Sequence, residues 1–112
     1  MLLQTEQLTG GITLVHLAGR MDTEGAVAVD LKMMAIAGAH RAVVIDLTQL
    51  NYLASMGIRT LTLSAKTIAD RGGRVACFGA NENVTRVLET SGVASVVPMF
   101  GDIERATASV AS

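Results

Sequence analysis

The sequence predicts an α/β domain built on a mixed β-sheet of about five strands with about four helices. Three observations carry this prediction. Two strand-like segments open the chain and meet at "LTGG", whose paired glycines suit a hairpin turn. Short β-branched runs then alternate with segments of helical periodicity. A length of 112 residues suffices for one hydrophobic core but not for two, so residues 1–112 are expected to form a single domain. A hairpin pairs its strands antiparallel, whereas strands separated by helices need crossovers and pair parallel. The sheet is therefore expected to be antiparallel at its start and parallel in the remainder.

Taken in order, residues 2–8 and 11–18 are the opening strands. In the second, Ile12, Leu14 and His16 share one parity and Val15 and Leu17 the other, which predicts an interior strand with both faces covered. A helix over about 23–37 follows, capped by Asp22 or Thr23, whose side-chain oxygens suit unpaired backbone N–H groups. Val27, Leu31 and Met34 fall at i, i+4 and i+7 and predict its inward stripe, with Gly38 as the stop. "RAVVIDL" (41–47) reads as a buried strand. The next helix begins at Ser55, turns Ile58, Leu61, Ala65 and Ile68 to one side, and ends at Gly72-Gly73. "RVACFGA" (74–80) is a further strand, and "NENVTRVLETSG" a short helix with Asn81 or Asn83 as its cap and Val84, Val87 and Leu88 inward. "SVVP" reads as a last strand stopped by Pro98, and Asp102 as the cap of a terminal helix that uses Ile103, Ala106 and Val110.

Composition narrows the function. Half of the residues are hydrophobic, yet no apolar run approaches the ~20 residues that span a bilayer. No segment joins a basic face to large apolar residues, so direct membrane insertion is not expected. "MLLQTEQLTG" lacks the basic segment, apolar stretch and cleavage site of a secretion signal, and a cytoplasmic location is expected. The formal net charge is −1 with acids and bases interspersed, and Tyr52, Phe78 and Phe100 are the only aromatics. With neither a basic stripe nor a stacking platform, nucleic acid is an unsuitable partner. Cys77 is the only cysteine and lies in the apolar stretch "VACF", where it reads as a small buried strand residue. The six methionines fall mostly at core positions.

The residues offer little chemistry of their own. His16 and His40 sit on different elements, without i, i+4 pairing or a cysteine pair beside them, so no metal ligand set is expected. His16 reads as a sheet histidine and His40 as a surface residue. A serine-hydrolase elbow at Ser55 would need a small residue where Leu53 stands, and a histidine after the serine, but both histidines precede it. "LTGG" and "DRGGR" lack the spacing of a phosphate-binding loop and read as turns. Lys66, Asp70 and Arg71 form a solvated helix end. Neither a catalytic residue nor a cofactor is expected. What remains is Ser55, at a strand-to-helix junction. Its oxygen can cap the helix by accepting the N–H of Gly57 or Ile58, for about 1 kcal/mol. The same position also presents a hydroxyl at the positive end of a helix, where a phosphate dianion is tolerated.

The stretch "IDLTQLNYLASMG" resembles the STAS domain of bacterial anti-sigma factor antagonists, in which a strand ending in "DL" leads to "DSSG" or "DSTG". "GRVACFGANENVTRVLETSGV" is similar to the family's later strand and helix, and "LAGRMD" to its "L-x-G-x-L-D", so the likeness extends over nearly the whole chain. The resemblance implies the fold already derived, together with a mode of action. An ATP-dependent serine kinase that doubles as an anti-sigma factor would bind the unmodified protein and release its sigma factor. Phosphorylation of Ser55 would end the binding, and a phosphatase would restore it. Asp22, Ala54, Ser55, Met56 and Gly57 would form the partner surface. Two positions depart from the family pattern: Ala54 replaces the aspartate before the serine, and Met56 a second small hydroxyl residue. Ala54 motivates an alternative, an unswitched STAS module serving as a scaffold or as an accessory subunit of a membrane transport system.

Overall fold

The computed structural model describes residues 1–111. The chain runs β1 (Leu2–Leu8), β2 (Ile12–Met21), α1 (Thr23–Ala39), β3 (Ala42–Leu53), α2 (Ser55–Asp70), β4 (Arg74–Phe78), α3 (Glu82–Thr90), β5 (Met99–Phe100) and α4 (Ile103–Val110), with a short 3-10 turn at Val93–Ser95. The five strands lie in sequence order across one sheet. β1 and β2 pair antiparallel, and β2, β3, β4 and β5 pair parallel. Each parallel neighbour is reached through a helix, as crossover geometry requires.

Alternation along the strands builds two unequal cores. Val15 and Leu17 of β2, Val43, Ile45 and Leu47 of β3, and Val75 and Cys77 of β4 turn to the side where α1, α2 and α3 pack. Ile12, Leu14, Val44, Ala76 and Phe78 turn the other way, against Ala106 and Val110 of α4. β2 and β3 are thus covered on both faces over much of their length, which is why they read as near-continuous apolar runs.

The structure corrects four expectations. The inward side of α1 is not Val27, Leu31 and Met34: Val27 and Leu31 are 65% and 85% exposed, and Ala26, Val29, Met33, Ile36 and Ala37 are buried instead. Apolar residues surround this helix almost completely, so spacing alone cannot select the side that meets the sheet. Nor does Gly38 stop it, because the helix continues to Ala39 and the N–H of His40 still donates to the Ile36 carbonyl. β3 does not end at residue 47 but runs to Leu53, and two register shifts against β2 bring both Leu50 and Leu53 into the core. Finally, "SVVP" is not a strand. Val93 in the 3-10 turn and Val97 just after it are buried, and Pro98 precedes β5, its carbonyl accepting the N–H of Cys77 at 2.9 Å. A proline lacks the N–H that a ladder needs but can lead into a strand with its carbonyl.

Candidate functional site

Four α-helices begin among the described residues, and three begin alike. Asp22 accepts the N–H of Gly25, Asn81 that of Val84 and Asp102 that of Arg105, each at 2.8 Å. Asp22 rather than Thr23, and Asn81 rather than Asn83, are therefore the caps. α2 differs. Its N-cap is Ala54, in extended conformation at φ −121° and ψ −177°, and among the described residues no side chain caps its first-turn N–H groups. Ser55, expected as the cap, is the first residue of the helix proper; the N–H of Ile58 goes to the Ala54 carbonyl at 3.0 Å. The Ser55 hydroxyl is exposed and enters no hydrogen bond among the described residues. Relieved of the capping role, it is open to solvent.

Backbone pairing fixes where this hydroxyl stands. Met21 is in register with Leu53, and the N–H of Ala54 donates to the Met21 carbonyl at 3.0 Å, so β2 and β3 finish side by side. Asp22 follows one strand and Ser55 the other, which brings the two sequence-predicted residues to the same end of the sheet. Met56 is half-buried against the core. Gly57 is buried rather than displayed: a Cβ there would stand 2.7 Å from Leu53 Cδ1 and from Met21 Cγ, and 3.0 Å from the Met21 carbonyl oxygen. Gly57 therefore lets α2 seat on the strand ends and lies behind the surface it was expected to form. Gly25 does the same for α1, since a Cβ there would strike the Arg20 carbonyl oxygen.

Charges and apolar side chains around Ser55 complete the surface. The Arg20 guanidinium lies over the Tyr52 ring at 4.4 Å, with its Nε 3.7 Å from Asp22 Oδ2. Stacking on an aromatic face holds a guanidinium while leaving its N–H donors available. On the other side, α1 and α2 enclose a groove of about 300 Å³ lined by Val27, Asp30, Leu31, Met56, Arg59 and Leu63, together with Ala26 and Thr60. Its floor is tied by Thr60, whose hydroxyl donates to Asp30 Oδ1 at 3.0 Å and to the Met56 carbonyl at 3.1 Å. The exposed Val27 and Leu31 that failed as core residues are walls of this groove.

A second polar cluster lies on the opposite face of the sheet, beyond the cover of α4. His16 Nδ1 is 2.7 Å from Asp46 Oδ2 and its Nε2 is 3.2 Å from Glu6 Oε1, while Asp46 Oδ1 accepts both the backbone N–H and the hydroxyl of Thr48. Both ring nitrogens donate only in the imidazolium form. Desolvation pulls the His16 pKa down, but the hydrogen bonds and charges of Asp46 and Glu6 outweigh it and hold the value above 6.5. For Asp46, desolvation pushes the pKa up, and the Thr48 and His16 bonds reverse this and hold it below 3.8. The cluster links β1, β2 and β3. His16 is the sheet histidine that its parity predicts, while its meeting with Glu6 and Asp46 is set by the β1–β2 and β2–β3 registers. Cys77 is buried as expected, its thiol pushed up to about 12 by desolvation, which makes it a poor nucleophile at neutral pH. Among the described residues no helix is long and apolar enough to cross a membrane.

An open hydroxyl at the start of α2, a buried glycine two residues on and an aspartate beside them form the frame that the sequence resembles. The profile of the STAS domain family matches residues 5–106. The chain belongs to the STAS domain family. BtrV of Bordetella bronchiseptica, a proposed anti-sigma factor antagonist, is 29% identical over 99 residues, covering 88% of this chain and 85% of its own. Among solved structures, an anti-sigma factor antagonist from Mycobacterium paratuberculosis superposes with a TM-score of 0.87 at 21% identity, covering 99% of this STAS domain and 94% of that chain. The phosphorylated form of the Bacillus cell fate determinant SpoIIAA superposes with a TM-score of 0.71 at 17% identity, over 93% and 96%. BtrV and the Mycobacterium paratuberculosis protein are both named as anti-sigma factor antagonists.

Proposed function

We propose that this STAS domain is a cytoplasmic anti-sigma factor antagonist that binds an anti-sigma factor serine kinase and is switched off by phosphorylation of Ser55. The observation that carries the reading is the Ser55 hydroxyl: exposed, free of structural hydrogen bonds, and set at the head of α2 beside Asp22. The kinase supplies the covalent chemistry. The serine oxygen attacks the γ-phosphorus of ATP, ADP leaves, and the hydroxyl proton passes to the kinase's base. The antagonist need only present the hydroxyl, and it requires neither cofactor nor catalytic group. SpoIIAA, which shares the fold, exists in a phosphorylated form. A phosphatase acting on the modified serine resets the switch.

A phosphate brings roughly −1.5 to −2 charges. Set within ~4 Å of a carboxylate or of an unpartnered polar group across an interface, it costs about 3–5 kcal/mol at intermediate dielectric. At about 1.4 kcal/mol per decade, binding weakens by roughly two to three decades. Asp22, Ala54, Ser55 and the exposed part of Met56 form the contact surface, and Gly57 shapes it from beneath. Incubation with the kinase and ATP is expected to add one phosphate, placed on Ser55 by mass spectrometry, and Ser55→Asp is expected to weaken kinase binding. Ala54 in place of an acid favours one rival, an unswitched module. Unaltered kinase binding by Ser55→Asp, or no phosphate from a kinase that binds, would establish that rival.

A further inference from the structure

Ser55 and Arg59 stand four residues apart on the exposed side of α2, so their Cβ atoms are about 5–6 Å apart. Long side chains on a helix lean towards its N-terminus, which carries Arg59 back over the turn that holds Ser55. The order, anion first and cation four residues later, is the favourable one along the helix dipole. Arg59 is exposed and forms no ion pair among the described residues, although Asp30 lines the same groove. One Asp30 oxygen is already engaged by Thr60. The other nearby cation, Arg20, is held by the Tyr52 ring and Asp22. Arg59 is thus the uncommitted base beside Ser55.

We propose that Arg59 is the built-in counter-cation for a phosphate on Ser55. The inference rests on the reading of Ser55 as a modified residue and adds how the modified state is held. With no side chain capping α2, a phosphate there meets the first-turn N–H groups on one side and the guanidinium on the other. Pairing also commits the only basic side chain among those lining the α1–α2 groove, so modification alters the groove as well as the serine.

The test installs phosphoserine at position 55 of the full chain during translation, which removes any dependence on the kinase. Phosphorus NMR then follows the second ionisation of the phosphate between pH 4 and 8. A cation alongside favours the dianion, so the midpoint in the wild-type background should lie about 0.2–0.4 pH unit below that in Arg59→Gln. Arg59→Lys should retain most of the difference. Equal midpoints with and without Arg59, or a midpoint that moves only on Arg20→Gln, would overturn the proposal. Absence of phosphate after incubation with the kinase would instead count against the proposed function, and the two failures are separable.

Discussion

The two polar clusters of this domain differ in how many of their hydrogen bonds are committed. In the Glu6–His16–Asp46–Thr48 cluster each ring nitrogen and both Asp46 oxygens have a partner, and three strands are joined by it. Around Ser55 the opposite holds. The hydroxyl is free, Ala54 offers no cap, and Arg59 forms no ion pair among the described residues. A polar group whose bonds are satisfied internally contributes to the fold, whereas one left open to solvent is available to another molecule. The contrast separates structural from functional polarity without reference to any relative, and it leads to predictions of decreasing size.

The largest loss is expected from the committed cluster. Asp46→Ala removes the acceptor of the Thr48 N–H, the Thr48 hydroxyl and the His16 ring. Net values of about 1 kcal/mol per hydrogen bond, somewhat more where a charge takes part, predict destabilisation by about 2 kcal/mol in urea titration. A loss within a few tenths would mean that the cluster is ornamental and the contrast false.

Next come the helix starts, where the sign should reverse. Asp22→Ala removes the cap of α1 and should cost about 1 kcal/mol. Ala54→Asp supplies one to α2, whose N-cap backbone is already extended, and should stabilise by up to about 1 kcal/mol. Opposite shifts in thermal midpoint from two substitutions at one end of the sheet would show that α2 forgoes a stabilisation that its neighbour has. A destabilised Ala54→Asp would show that something other than function excludes the acid.

Much of this was legible in advance, for identifiable reasons. The element order, the antiparallel start and the single Cys77 in a covered strand follow from local pattern, since strand alternation and turn residues act at short range. Ser55 could be located because strand, junction and helix are contiguous. What sequence could not supply was set at long range. Val27 and Leu31 were misassigned because α1 is apolar nearly all round, and only its packing on the sheet distinguishes its sides. Glu6, His16 and Asp46 are far apart in the chain and meet through register. Arg59 is a different case, for its four-residue spacing from Ser55 was readable throughout.

Titration of the committed cluster gives a smaller effect with a definite sign. The His16 pKa is raised, so its contribution is complete below 6.5 and is lost as the pH rises through the folded value. The Asp46 pKa is lowered, so its contribution is complete above 3.8 and is lost as the pH falls through the folded value. Stability due to this pair should therefore be greatest between the two. The His16 ring is 36% exposed, and solvent screening keeps the effect under about 1 kcal/mol. Thermal midpoints measured from pH 6 upward should decline, and His16→Gln should flatten that decline; an unchanged slope would remove His16 as its source.

The smallest expected effect tests the contrast most directly. Had Ser55 been the cap of α2, Ser55→Ala would cost about 1 kcal/mol. In this structure the hydroxyl has no partner to lose, and alanine is the better helix former, so the change in unfolding free energy should stay within about 0.5 kcal/mol. The same variant can no longer accept a phosphate, so incubation with kinase and ATP should leave its kinase binding unchanged while that of the wild type declines. Stability and switching would then separate at a single oxygen atom. A Ser55→Ala protein that melts several degrees lower would return the hydroxyl to a structural role, and the surface around it would lose its claim to be the site.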